Sequence, residues 1–229
     1  MLKAKIVNLR IGKSLDGLVE ALSHYYYSSE QEKGFEIFEY DKSSLKAKFV
    51  KKVIYSELVV DPYGDESEVE TIRFEECVFS IFSHDDCFFL VVYNPPRTLK
   101  SLISSLSDAI RTGVYVRTIE VDISGFLSAL GESAELEVDS IDRLQAKKIV
   151  VNESSRADIV FTSAKNAFED AVSFLKNKEF FIGKVRIQLH TGYRRGRMEV
   201  SSSASFGCSE KIFDEVLNFF LLYLRTQDW

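Results

Sequence analysis

The chain has 229 residues, 45% hydrophobic and 28% charged, with a formal net charge of −6. This is the composition of a folded globular protein with enough residues for a substantial core. Gly 11 and Pro 3 exclude long flexible linkers and collagen-like or proline-rich segments, and the longest strongly apolar run, Phe219 to Leu224, is far short of the roughly 20 residues of a membrane-spanning helix.

Residues 3–11 read as a strand. Ser14 or Asp16 then caps a helix over about 15–27, where Leu15, Leu18, Val19 and Leu22 recur at helical spacing. Residues 34–40 and 46–60 alternate apolar with polar side chains, as strands do, and 61–67 is a loop by its turn residues. A hairpin follows, 69–83 with 87–93, turning at Asp85-Asp86 and pairing Ser83 with Phe88 and Ile81 with Leu90. Both of its faces are apolar, which predicts central strands covered on two sides. A helix over about 97–111 ends near Gly113.

The second half begins with a strand over 114–123 and a short helix, Phe126 to Leu130. Strands are expected at 135–141, 146–152 and 158–162, then a helix over 164–176 and a second hairpin, 180–191 with 197–206. The last element is a helix from Ser209 to about Arg225, apolar in nearly every direction around its axis. A surface helix needs only one apolar stripe. It is therefore expected either in the core or in an interface that makes the protein a homo-oligomer or a subunit of a complex. These patterns predict the α+β class: a largely antiparallel sheet flanked by helices, its strand–helix–hairpin–helix outline repeated over 1–112 and 113–229 and packed as one unit. The echo of 17–22 in 125–130, Gly-Leu-Val-Glu-Ala-Leu against Gly-Phe-Leu-Ser-Ala-Leu, fits an ancient duplication and equally fits convergence.

Cys77, Cys87 and Cys208 form no CxxC pair. So sparse and odd a set reads as reduced thiols in the cytoplasm. The basic N-terminal residues have no apolar stretch behind them, unlike a secretory signal.

Positive charge is segregated. Residues 42–56 hold Lys42, Lys46, Lys48, Lys51 and Lys52 and no acid; residues 180–198 hold Lys184, Arg186, Arg194, Arg195 and Arg197 and no acid. These ten cations leave the remaining chain at −16. Such segregation concerns partners rather than topology. In the 180–206 hairpin, alternation sends Val185, Ile187 and Leu189 to one face and Lys184, Arg186, Gln188 and His190 to the other. Its tip adds Tyr193, Arg194, Arg195 and Arg197, guanidinium forks for phosphate beside an aromatic ring able to stack on a base. The lysines at 42–52 suit an edge strand protected against aggregation.

No cofactor or metal motif is present. His84-Asp85-Asp86-Cys87 reads as a turn, because adjacent side chains point apart. The acidic loop Asp61, Asp65, Glu66, Glu68 lacks calcium-loop spacing. The nearest approach to a catalytic set is Asp139 with Gln145 and Lys147, a nuclease-like trio lacking its second carboxylate. The expectation is a non-catalytic binding subunit of an intracellular complex, contacting nucleic acid through Lys184, Arg186, His190, Tyr193, Arg194, Arg195 and Arg197. The alternatives are an adaptor docking an acidic protein, and a metal-dependent nuclease.

Overall fold

In the computed structural model, which describes residues 1–85, 87–176 and 178–227, the chain divides into two units, Asn8–Val116 and Met1–Val7 with Arg117–Trp229. The first strand, β1 (Leu2–Ile11), contributes residues to both. The class is α+β, with eleven strands and five α-helices among the described residues and antiparallel ladders. No described helix is long and apolar enough to cross a membrane.

In the first unit, the Ser14 hydroxyl accepts the Gly17 N–H at 3.2 Å and starts α1 (Leu15–His24), which buries Leu15, Leu18 and Leu22. The helix stops three residues before the expected end. The Tyr25 carbonyl instead accepts the Phe35 N–H, and Tyr26 bridges Phe35, so this backbone serves the next strand. That strand is β2 (Lys33–Tyr40), followed by β3 (Ser44–Val60), β4 (Glu66–His84), β5 (Cys87–Tyr93) and α2 (Lys100–Ile110), with the strands ordered β2-β3-β4-β5-β1. The β4–β5 register sets Ser83 opposite Phe88 and Ile81 opposite Leu90, as alternation predicts. Asp86, the second residue of the expected turn, lies outside the described residues. β5 is buried on both faces over 88–92. The α2 helix ends at Arg111, in the left-handed region at φ 58°.

The largest departure from expectation is the partner of β3. It pairs with β4 over its whole length, from Ser44 opposite Phe82 to Val60 opposite Glu66. β2 accompanies β3 only as far as Lys51, and β5 accompanies β4 only from Phe79. Beyond those points the hairpin runs on as two strands, and every residue from 54 to 76 is exposed.

The second unit contains α3 (Ile123–Gly131), β7 (Glu137–Val150), β8 (Arg156–Thr162), α4 (Ala167–Leu175), β9 (Phe181–Thr191), β10 (Arg194–Ser201), β11 (Ser205–Cys208), a 3-10 turn (Glu210–Ile212) and α5 (Phe213–Arg225). Before α3 lies β6 (Val114–Thr118), which pairs with β1. The strand order in this unit is β1-β11-β10-β9-β7-β8. β6 is shorter than expected because Asp122 leaves the extended path to cap α3, accepting the Ser124 N–H at 3.0 Å. The two strands expected over 135–152 are one. β7 absorbs register shifts near Ser140, Asp142 and Gln145 as bulges and continues to pair with β9. β9 and β10 join through Gly192 and Tyr193, and Gly192 supplies the positive φ of 56°.

The core of this unit is aromatic. The Phe126 ring meets Phe219, Phe220 and Tyr223 edge-on at 5.3–5.8 Å between centroids, and Phe206 contacts Phe213 and Phe220. Full burial of such a ring stabilises by about 1.5–3 kcal/mol. α5 buries Phe213, Val216, Leu217, Phe220, Leu221, Tyr223 and Leu224, whereas Leu222 is exposed. The all-round apolar character of the last helix is thus satisfied largely by its own core, and the apolar excess from which an interface was expected is small.

Candidate anion-binding sheet face

Strand alternation divides β9. Val185, Ile187 and Leu189 are buried, while Lys184, Arg186, Gln188 and His190 occupy the opposite face. The β10 register places Ser201 opposite Lys184, Glu199 opposite Arg186, Arg197 opposite Gln188 and Arg195 opposite His190. Side chains directly opposite share a face, so all eight are together. β11 extends this face with Ser205, which lies opposite both Ser201 and Lys5. Lys3 lies two residues before Lys5 and shares its side. On the other flank β7 adds Glu137, Asp139, Asp142, Arg143, Gln145 and Lys147, around its buried Leu144 and Ala146.

Most of the predicted cations are answered by acids that the local sequence does not contain. Arg186 Nε donates to Asp142 Oδ1 at 2.5 Å, and Gln188 Nε2 donates to Oδ2 at 2.8 Å. Partial burial opposes the Asp142 charge, but the Arg186 and Gln188 hydrogen bonds and the nearby Arg186 and Arg197 charges outweigh it and hold the pKa below the usual carboxylate value. Lys184 Nζ lies 2.5 Å from Glu199. His190 sits between Asp139, 2.9 Å from Nδ1, and Glu137, 3.4 Å from Nε2.

Arg195 is looser. Its side chain is 81% exposed and its Nε is 4.0 Å from Asp139. Arg143, Lys147 and Arg197 form no ion pair among the described residues. Lys5 is half-buried, which lowers its pKa, and it donates to the Ser203 carbonyl. The face therefore carries Lys3, Lys5, Arg143, Lys147, Lys184, Arg186, Arg195 and Arg197 against Glu137, Asp139, Asp142 and Glu199, an excess of positive charge.

The three guanidinium groups of the tip do not converge. Arg194 lies on the opposite side of the strand, where Nη2 pairs with Glu215 in the first turn of α5 at 2.5 Å and Nη1 donates to the Lys211 carbonyl at 3.1 Å. Arg195 and Arg197 take the open face, and Tyr193 at the turn is fully exposed. A second aromatic, not anticipated from the sequence, stands at the far end of β9. Phe181 is opposite Lys147 in the ladder, 63% exposed, with Lys148 Nζ 5.1 Å from its ring centroid. About 33 Å of strand separates the two ends of β9. Between them a hollow of about 340 Å³ is lined by Lys3, Gln145, Lys147, Lys184, Glu199 and the serines of β10 and β11. An adjoining hollow of about 260 Å³ adds Arg143 and Arg186. Gly183 permits this shape, because a Cβ there would overlap the Lys147 side chain.

The nuclease-like trio does not assemble. Asp139 and Lys147 are eight positions apart on the single strand β7, roughly 25 Å at 3.3 Å per residue, and Asp139 is held by His190. No group of three metal-ligating side chains occurs among the described residues. Of the lysines of 42–52, Lys46, Lys48 and Lys51 are not on an edge strand, because β3 lies between β2 and β4 there, and Lys42 is in the turn before β3. Lys48 pairs with Glu36 at 2.8 Å and lies 3.7 Å from Glu76, and Lys52 pairs with Glu32 at 2.8 Å. No protein-family model and no curated protein matches the chain.

Proposed function

We propose that the protein is a non-catalytic, intracellular binding subunit whose open sheet face in the second unit contacts the phosphates of single-stranded nucleic acid. The observation that carries this reading is the positive excess gathered from β1, β7, β9 and β10 on a face that the core leaves exposed. Phosphate neutralisation supplies most sequence-independent affinity for nucleic acid, and an aromatic ring at each end of the strip, Phe181 and Tyr193, offers a stacking surface for unpaired bases. Within the strip Arg143, Lys147, Arg195 and Arg197 do the contacting, while Lys184, Arg186 and His190 are restrained by their acids. Arg194 fastens the tip to α5. We further propose that the two halves share one strand–helix–hairpin–helix outline, by duplication or by convergence, on the echo of 17–22 in 125–130.

Fluorescence anisotropy with a labelled single-stranded oligonucleotide across 50–200 mM salt tests the reading. Replacing Arg195 and Arg197 by alanine should weaken binding and reduce the log–log salt slope by about 0.7 per lost phosphate contact. Absence of wild-type binding at the lowest salt, or an unchanged slope in the double variant, overturns it. Salt-sensitive capture of an acidic protein by the same residues would support the adaptor reading instead.

A further inference from the structure

The two-stranded extension of β3 and β4 has no role in the binding face described above. An isolated two-stranded hairpin is only marginally stable in water, yet this one exposes Ile54, Tyr55, Leu58, Val60, Ile72 and Phe74, each between 46% and 60%. Its two edges differ. The β4 side presents Glu66, Glu68 and Glu70 at alternate positions, three carboxylates on one face. The β3 side, 53–60, is Val-Ile-Tyr-Ser-Glu-Leu-Val-Val, rich in strand-forming residues, with a single acid and no base.

Backbone orientation identifies the free groups. The Lys52 N–H crosses to the Glu32 carbonyl at 2.7 Å, on the edge shared with β2. By alternation Ile54, Ser56 and Leu58 turn their N–H and C=O groups to that same edge, where no strand pairs with them among the described residues. We infer that this edge pairs antiparallel with the same edge of a second copy, joining the two hairpins into a four-stranded sheet about a two-fold axis.

Charge selects the edge, and charge together with the length of ladder available selects the register. Pairing two β4 edges would set carboxylate against carboxylate, which is unfavourable. On the β3 edge, a two-fold perpendicular to the sheet requires facing residues of equal parity. Centring it on Glu57 opposes Glu57 to itself. Centring it on Ser56 faces Ser56 with Ser56, Ile54 with Leu58, Val53 with Val59 and Tyr55 with Glu57, with no like-charge pair. The three pairs made by Ile54, Ser56 and Leu58 then supply about six backbone hydrogen bonds, two per facing pair. β2 and Glu32 occupy the edge from Lys52 backward, so the new ladder is confined to 53–59. Such a contact is isologous, closes at two copies and removes an edge that would otherwise recruit strands without limit.

Sedimentation equilibrium of the full chain from about 1 to 100 μM, the range in which a micromolar association is resolved, should give twice the 26.1 kDa chain mass at the upper end. Ile54→Lys places a charge opposite Leu58 twice per dimer and should raise the dissociation constant at least about tenfold. Combining it with Leu58→Glu places opposite charges face to face and should restore the dimer. Register is read by oxidation. Facing Cα atoms about 5.5 Å apart suit a disulfide, so Ser56→Cys should give a covalent dimer and Ser67→Cys, on β4, should not. A wild-type monomer throughout the range overturns the inference, as does equal crosslinking at both positions or failure of the charge pair to rescue.

Discussion

Replacing Asp142 by alanine should lower stability while strengthening nucleic-acid binding. The carboxylate accepts from Arg186 at 2.5 Å and from Gln188 at 2.8 Å, and the side chains of Asp142 and Arg186 are 18% and 26% exposed. Hydrogen bonds to charged groups contribute about 1.5–3 kcal/mol when well shielded, but solvent reaches this pair and Arg186 can turn to water when its partner is lost. A net loss of about 1–2 kcal/mol follows. At a urea m-value near 3 kcal/mol/M, that moves the midpoint down by roughly half a molar. The pH dependence has a definite sign. The folded pKa of Asp142 is depressed, so its contribution is fully present above the unfolded value near 3.9 and disappears as pH falls through the folded value. The stability gap between wild type and variant should therefore close below about pH 4. The same substitution removes one negative charge from the face and releases the Arg186 fork toward phosphate, so the salt slope should steepen by about 0.7. A destabilised variant with an unchanged slope would mean that Arg186 does not reach the ligand. A variant as stable as wild type would mean that the pair is dissolved by solvent.

Two further predictions concern the fold. Burial raises the thiol pKa of Cys77 to about 11 and of Cys208 to about 12, so at pH 8 both should react with a thiol reagent far more slowly than in urea, and equal rates in the folded and unfolded protein would contradict that placement. A Cβ at Gly34 would overlap the backbone of Tyr26 and Tyr27; Gly34→Ala should cost about 2 kcal/mol by overpacking, and a denaturation midpoint within error of wild type would show that this approach relaxes freely.

What was legible in the sequence was local. The Ser14 cap, the Ser83–Phe88 register and the division of β9 into apolar and polar faces each depend on residues a few positions apart, where alternation and capping decide the outcome. Glu199, the partner of Lys184, lies in the hairpin itself, but the acids that restrain the other cations were not legible. The acid-free run of 180–198 predicts an unopposed basic hairpin, but Asp142 is 44 residues before Arg186 and reaches it only because β7 pairs with β9 past the intervening β8 and α4. The two-stranded extension of β3 and β4 was half legible. Both of its strands and its turn can be read from the sequence, but 69–83 also fits 87–93, and one strand has two edges. Only the short reach of β2 and β5 reveals that the far half of the β3–β4 ladder is unsupported.

Consecutive arginines illustrate why charge runs mislead on strands. Arg194 and Arg195 are adjacent, yet period-two geometry gives one to Glu215 on α5 and the other to the open face. A run of cations in a strand is therefore at most half a patch. A patch arises instead when neighbouring strands contribute cations at matching parity, as Lys3, Lys147, Lys184 and Arg197 do from four strands whose order in the sheet is unrelated to their spacing in sequence. Because the acids arrive by the same route, the field at the face is a property of the register. A one-residue slip of β7 against β9 would turn Asp139, Asp142 and Lys147 away together. The bulges that fix the β7 register thus also decide which guanidinium groups stay available to an anion.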